Sequence, residues 1–323
     1  MLKKLSVTAV ILAMSAMLLV PTAYAVQPVD APEQEEENCI KTLLELLAGD
    51  TEKNESARQE SLFRKNGFKI QDGRLYHYTD GQLDVYQPGF VQIGDDVYHV
   101  SVTSGSFDLY PAGFVTIDGK LYHVSKNGYS IDRYAEGLHE IDGGMYYVKE
   151  DGSFLTNSAV GYLTFDANGR YTSGNATLDS YVDQALAACT NSGMTEAQKL
   201  RAAYLYVRDH GAYLARPHQA RGTTAWAEES ALFMVEHKKG NCYCFAGQFL
   251  YMARRLGYNA YVVSGGVGRK DSDHAWVMIC ENGVPYIYDV ELEWGYSAGR
   301  YGHAEYNMYK MPLNKTVFSY QFP

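Results

Sequence analysis

One cysteine stands where the chain can open a helix, and a histidine and an aspartate follow it in an order that can serve it. Gly240-Asn241-Cys242-Tyr243-Cys244-Phe245-Ala246 begins a run with Phe245, Ala246, Phe249, Leu250, Ala253 and Leu256 at helical spacing, and Gly257 stops it. His274-Ala275-Trp276 and Tyr288-Asp289-Val290 come later. A cysteine attacks as its thiolate. The free N–H groups and partial positive charge of a helix start favour an anion there. An imidazole can take up and return the proton, and a carboxylate can orient the ring. Cys242, His274 and Asp289 are therefore the candidate nucleophile, base and orienter. The backbone N–H of Cys242, with Trp226 nearby in the chain, is the candidate oxyanion donor.

Positioning these groups falls to a hairpin. Asn282-Gly283 separates two apolar stretches and is a turn signal. If it forms a two-residue turn, Glu281 pairs with Val284 and His274 falls opposite Glu291. Asp289 is then two residues away on the same face. A turn at Glu281-Asn282 would put His274 opposite Asp289 itself. A three-residue loop without a bulge would separate the two groups onto opposite faces.

Ahead of the cysteine the pattern is helical. Leu178, Tyr181, Val182, Ala185, Leu186 and Cys189 share one face, with Gly193 available to end that helix. Thr195-Glu196-Ala197-Gln198 is a capping box before a second helix running to Gly211. A third spans Trp226 to Lys239, closed by Gly240. Strands are expected at Ala260–Ser264, Ala275–Ile279 and Tyr286–Val290. Helices first and an antiparallel sheet after make an α+β layout. Gly265-Gly266-Val267-Gly268-Arg269-Lys270 follows a strand, but no helix pattern opens after it. It reads as a loop beside the site, not a phosphate cradle.

The first half carries a repeat. Units start at Gly67-Phe68, Gly89-Phe90, Gly113-Phe114, Gly137-Leu138 and Gly161-Tyr162. Asp-Gly turns between apolar and aromatic residues, as at Ile117-Asp118-Gly119-Lys120-Leu121-Tyr122-His123, signal hairpins. Units this short cannot bury an apolar face alone, so they must stack into a β-solenoid or hairpin array. Tyr76, Tyr98, Tyr122 and Tyr146 are the candidate ligand-binding residues, able to stack on sugars. The plainer alternative is a spacer with a packed aromatic ladder. His77, His99 and His123 recur with the units and serve the repeat.

Glycine, aromatic, short strand, Asp-Gly turn and Tyr-Tyr or Tyr-His together resemble the cell-wall-binding repeats of bacterial surface proteins, of choline- and glucan-binding type, over residues 67–175. Choline binders of that kind use Trp and Tyr cages, and all three Trp here (Trp226, Trp276, Trp294) lie outside the repeats. Gly240-Asn241-Cys242, Asp273-His274-Ala275-Trp276-Val277 and Tyr288-Asp289 resemble the transglutaminase-like superfamily. That resemblance implies a papain-like fold, with a catalytic helix packed on an antiparallel sheet. It also implies Cys242 as nucleophile, His274 as general base and acid, and Asp289 as orienter. Cys244 departs from the pattern, since relatives often carry Asp there.

The ends and composition set the compartment. Met1-Leu2-Lys3-Lys4, the uncharged run Leu5–Val20 and Ala23-Tyr24-Ala25 form a signal-peptide pattern over residues 1–25. That run is shorter than the roughly 20 residues a membrane span needs. Loss of Lys3 and Lys4 would take the net charge from -10 to -12, and no basic stripe suggests a nucleic-acid partner. The five Cys are too few and odd in number for a disulfide framework; Cys39 and Cys189 can be imagined as a pair. A zinc set from Cys242, Cys244, Cys280 and His274 is disfavoured, because Cys280 lies about 20 Å along the strand from His274. No metal or cofactor is expected.

The expected organisation is signal peptide 1–25, acidic leader and short helix 26–66, hairpin repeats 67–175 and transglutaminase-like domain 176–323. The expected function is a secreted or cell-surface cysteine enzyme acting on amides through a thioester, as a peptidase or amidase with a protein or peptide substrate. The repeats would meet cell-wall glycan or peptidoglycan. The alternatives are a cross-linking transglutaminase with the same triad and a non-catalytic wall- or glycan-binding scaffold.

Overall fold

The computed structural model describes residues 66–299 and 306–323. The signal-peptide pattern at 1–25 and the acidic leader and short helix expected within 26–66 lie outside these residues, apart from Asn66.

The repeat becomes four antiparallel hairpins. Gly67–Gln71 pairs with Arg74–Thr79, Gly89–Ile93 with Asp96–Val100, Gly113–Ile117 with Lys120–Val124, and Gly137–Ile141 with Gly144–Val148. Three turn on Asp-Gly with both residues at positive φ (Asp118 at 50°, Gly119 at 77°), which matches the twist of the strands they join. The second and third hairpins are bridged into one five-stranded sheet by Ser130–Ile131. The fifth unit departs from the expected phase. Gly161 does not start a strand but lies in the turn between Ser158–Val160 and Leu163–Phe165. Tyr162 N–H there donates to Asn259 Oδ1 at 2.8 Å.

The aromatic residues face inward between units. Phe68 meets Tyr98 at 4.7 Å between ring centroids, Phe90 meets Tyr122 at 4.8 Å, and Phe114 stacks on Tyr146 at 4.3 Å. Each first-strand Phe thus packs on the second-strand Tyr of the following unit. Tyr98, Tyr122 and Tyr146 are buried by this ladder and Tyr76 is half-buried. The candidate ligand-binding tyrosines thus spend much of their ring surface on one another, because the units need those rings to cover their apolar faces. The histidines tie each unit to its turn. His77, His99 and His123 reach Asp84, Asp108 and Asp132 at 2.6, 2.8 and 2.6 Å.

After the repeats come four helices: α1 (Ala176–Cys189), α2 (Glu196–His210), α3 (Ala227–His237) and α4 (Cys242–Arg255). Asn175 caps α1, and Thr195 and Gln198 form the capping box of α2. Helix α3 stops earlier than the glycine suggested. Lys238 takes a left-handed conformation (φ 54°), and Lys239–Gly240 pairs in parallel with Ala212–Tyr213. The sheet contains β1 (Ala260–Val267), β2 (Ser272–Glu281), β3 (Val284–Tyr288), β4 (Met311–Pro312) and β5 (Tyr320–Gln321), in the order β4-β3-β2-β1-β5. Strands β1 and β2 are longer than expected. Strand β3 is as long as expected but lies two residues earlier, since Val290 begins α5 (Val290–Glu293) instead of extending the strand.

Helix α4 is the hub. Almost every residue in it is buried. Ala275, Val277 and Ile279 of β2 share its core, while Trp276 and Met278 on the other strand face pack with Val263, Ile287, Met308 and Met311. Residues 67–323 form one compact unit. Arg255 at the end of α4 links its halves: its Nε donates to Asp183 at 2.6 Å and its Nη2 to the Gly143 carbonyl at 2.6 Å. Among the described residues no helix is long and apolar enough to cross a membrane.

Candidate active site

Cys242 is the first residue of α4, and Gly240 is what lets the chain enter there. A Cβ on Gly240 would lie 2.3 Å from Cys244 Cβ, so a larger residue would push the helix start away. Asn241 makes no side-chain cap; its amide donates to the Arg216 carbonyl at 3.2 Å. The first-turn N–H groups of α4 are therefore not taken by a cap, and Cys242 sits among them, buried at 5% exposure.

His274 lies near the start of β2, opposite Gly265 of β1. The β2–β3 hairpin turns at Asn282-Gly283, with Glu281 paired to Val284 and Val277 to Tyr288. This is the first of the two turn registers weighed from the sequence. Pairing ends at Tyr288, and Asp289 becomes the N-cap of α5: its Oδ1 accepts from Leu292 N–H at 3.1 Å. Its Oδ2 accepts from His274 Nε2 at 2.8 Å. The three sequence-chosen residues are thus all buried, and the imidazole interacts with both of the others.

Electrostatics follow from that burial. Burial alone would press the His274 imidazole toward its neutral form. The Asp289 carboxylate and the Cys242 sulfur outweigh it and hold the ring well above its ordinary range. Nε2 is bound to Asp289, so Nδ1 is the nitrogen left for the thiol.

Three further groups attend the ring. Tyr320, on the C-terminal strand β5, donates its hydroxyl to Asp289 Oδ2 at 2.7 Å. Glu291 places Oε2 3.9 Å from His274 Nδ1, and burial pushes its carboxyl up to about 7. Tyr213 is raised by burial and then by the charges of Glu291 and Cys242, and its ring stacks on Trp294. Register arithmetic pointed to Glu291; nothing in local sequence pointed to Tyr320 or Tyr213, which arrive by chain folding. Below the site, Tyr204 hydroxyl donates to the Asp289 carbonyl and to Glu293, both at 2.9 Å, and Arg208 reaches Glu293 at 2.7 Å. These bonds fix α5 and with it the Asp289 carboxylate.

Trp226 is not an oxyanion donor. Its indole N–H is given to the Thr223 carbonyl at 2.7 Å, and its ring packs edge-on against Tyr243. Cys244, two residues past Cys242, is fully buried and accepts from Arg216 Nη1 at 3.1 Å. Burial pushes its thiol up, which suits packing over reactivity. Cys189, Cys242, Cys244 and Cys280 carry free thiols. The glycines at 265 and 266 serve packing: a Cβ on Gly265 would fall 2.3 Å from the Gln321 carbonyl oxygen of β5.

A helix carrying a thiol at its start, laid on an antiparallel sheet carrying an imidazole and a carboxylate, defines a cysteine-centred α+β domain. Residues 183–288 match the model of the transglutaminase-like superfamily, and the chain carries a domain of that superfamily. No curated protein matches the chain. Among solved structures it is similar to choline binding protein F from Streptococcus pneumoniae, at 18% identity over 33% of this chain and 33% of that one, with a TM-score of 0.25. It is also similar to a structure described as a TGase, at 21% identity over 35% and 31% of the two chains, TM-score 0.29. A third is a putative cysteine protease from Cytophaga hutchinsonii, at 16% identity over 35% and 37%, TM-score 0.28. The chain spans about a third of the length of each.

Proposed function

We propose that the protein is a cysteine-nucleophile acyl transferase acting on amide bonds, with Cys242, His274 and Asp289 as its triad. The observation that carries this reading is the buried imidazole held at Nε2 by Asp289, with the Cys242 sulfur among the groups that keep it charged. His274 takes the thiol proton, and the sulfur attacks the amide carbonyl. The tetrahedral oxyanion is met by the backbone N–H of Cys242, at a helix start that favours negative charge. His274 then gives its proton to the leaving amine, and the C–N bond breaks to leave a thioester. Water, activated by the same imidazole, attacks the thioester; the C–S bond breaks and the thiol regains its proton.

Hydrolysis is favoured over cross-linking because water is always present outside the cell. An acceptor amine would win only where water is excluded. The pattern at residues 1–25 supports export of a protein in which repeats 67–175 present the domain 176–323 at the cell surface. The buried ladder favours the repeats as a spacer that can still meet wall material through its outer face.

Mass spectrometry of peptides, wall fragments and amine donors incubated with wild type and Cys242→Ala tests this. Cleavage or deamidation lost in the variant supports hydrolysis, and amine incorporation supports cross-linking. Iodoacetamide labelling separates both from a non-catalytic scaffold. A working thiol reacts fast at neutral pH and loses that on His274→Ala; slow labelling that ignores His274 would favour the scaffold.

A further inference from the structure

A cavity of about 500 Å3 opens beside His274. Its apolar wall is made by Val267, Leu292, Tyr296 and Phe318, and the β1–β2 loop adds Arg269 and Lys270. The loop also carries two acids, Asp271 and Asp273, but both are already engaged. Arg221 donates from Nε to Asp273 at 2.7 Å and from Nη1 to both Asp271 oxygens at 3.0 Å. Its Nη2 donates to the Asp271 carbonyl at 2.7 Å. His218 adds a contact to Asp273 at 3.8 Å. Among the described residues no ion pair holds Arg269 or Lys270.

The balance of charge at this wall is therefore opposite to that of the protein. The whole chain carries a net charge of -10, yet the cavity presents two unpaired cations next to an imidazole that itself favours the charged form. Glu291 faces that ring from α5, but it does not line the cavity. A concave site with an apolar wall and two exposed cations in its lining selects a ligand that is apolar in body and anionic at one end. The clamp by Arg221 matters twice: it offsets one of the loop's two acidic charges, so that with Arg269 and Lys270 the cations outnumber the acids by three to two, and it holds the loop that carries the two cations.

We propose that this cavity selects substrates with a free carboxylate close to the scissile amide, bound by Arg269 and Lys270. This rests on the reading of Cys242 as the nucleophile and names the class of substrate it takes. A peptide ending in a carboxylate a residue or two from the cleaved bond satisfies the site; the same peptide as its carboxamide does not.

Two alkylating agents of nearly equal size read the site directly. Iodoacetate is anionic and iodoacetamide neutral, and both modify Cys242. The ratio of their rates is measured for wild type and for the Arg269→Ala/Lys270→Ala double variant, with circular dichroism to report folding. Because the ratio is taken within one protein, any general loss of reactivity cancels. We expect the iodoacetate preference to fall at least threefold in the double variant and in high salt. Acetyl-trialanine as the free acid should protect wild-type Cys242 at about tenfold lower concentration than its carboxamide, and the double variant should lose this difference. Fast, His274-dependent labelling with an unchanged ratio and equal protection would overturn the carboxylate preference while leaving the nucleophile reading intact. Slow labelling that ignores His274 would remove both.

Discussion

His274 and Asp289 share a 2.8 Å hydrogen bond beyond the end of the strand pairing that brings them together. The β2–β3 ladder closes at Val277 and Tyr288. Asp289 has already left the strand and caps α5 with one oxygen while it holds the imidazole with the other. One carboxylate thus fixes both the backbone that carries it and the ring it orients.

Asp289→Asn should leave Cys242 and His274 in place but remove the charge that supports the imidazolium. Amide turnover is expected to fall by about 10³- to 10⁴-fold with a smaller change in KM. Steady-state kinetics on any substrate found by mass spectrometry would check this; a fall of less than tenfold would mean that the carboxylate serves α5 alone.

Tyr320→Phe deletes the hydroxyl that donates to Asp289 Oδ2 at 2.7 Å. The carboxylate keeps His274 but loses a charge-assisted bond, which costs about 1–3 kcal/mol of stability. Tyr320 is a positioning residue, so kcat should drop about tenfold while KM stays near its wild-type value. Denaturant unfolding and kinetics together separate this from a purely structural effect, which would leave kcat alone.

Glu291 makes stability depend on pH. Burial raises its carboxyl from 4.5 to about 7. Between those values the folded protein keeps a proton that the unfolded chain has lost. The stabilisation is therefore complete below 4.5 and falls as pH rises toward 7. Glu291→Gln should flatten that fall and leave the variant about 1–3 kcal/mol more stable than wild type at pH 8. Urea midpoints taken between pH 4 and pH 8 would show parallel curves for the two proteins if the carboxyl titrated normally.

Arg255→Ala removes the link from α4 to Asp183 and to the Gly143 carbonyl. It leaves the exposed Gly143 carbonyl and the half-buried Asp183 carboxylate to Arg170 and water, at a cost of about 1–2 kcal/mol. Limited proteolysis should then cut near Gly143 faster than in wild type, while Cys242 alkylation slows little. Unchanged cleavage would show that this contact does not hold the last hairpin.

Much of this site was legible in the residues. Glycine before cysteine and helical spacing after it marked the start of α4, and the parity of the Asn282-Gly283 turn put imidazole and carboxylate within reach of each other. Local rules suffice there because the turn type sets strand register and register sets the face. The repeat period was equally plain, since Asp-Gly turns return at nearly constant spacing. The burial of Tyr98, Tyr122 and Tyr146 was not legible, because periodicity shows which rings recur, not which rings cover one another. Trp226 was misplaced as a donor because its partner, the Thr223 carbonyl, is a backbone group that no motif marks.

Sequence by itself determined the identities and order of the reactive groups and the elements that carry them, because spacing and turn chemistry act within a few residues. Only the tertiary structure decided what surrounds them. Tyr320 reaches Asp289 across 31 positions of chain. Arg221 meets Asp271 across 50. Burial turns Glu291 from an ordinary surface carboxylate into one that titrates at about 7. Such effects depend on which distant segments exclude water from one another, and chain folding fixes that where local spacing cannot.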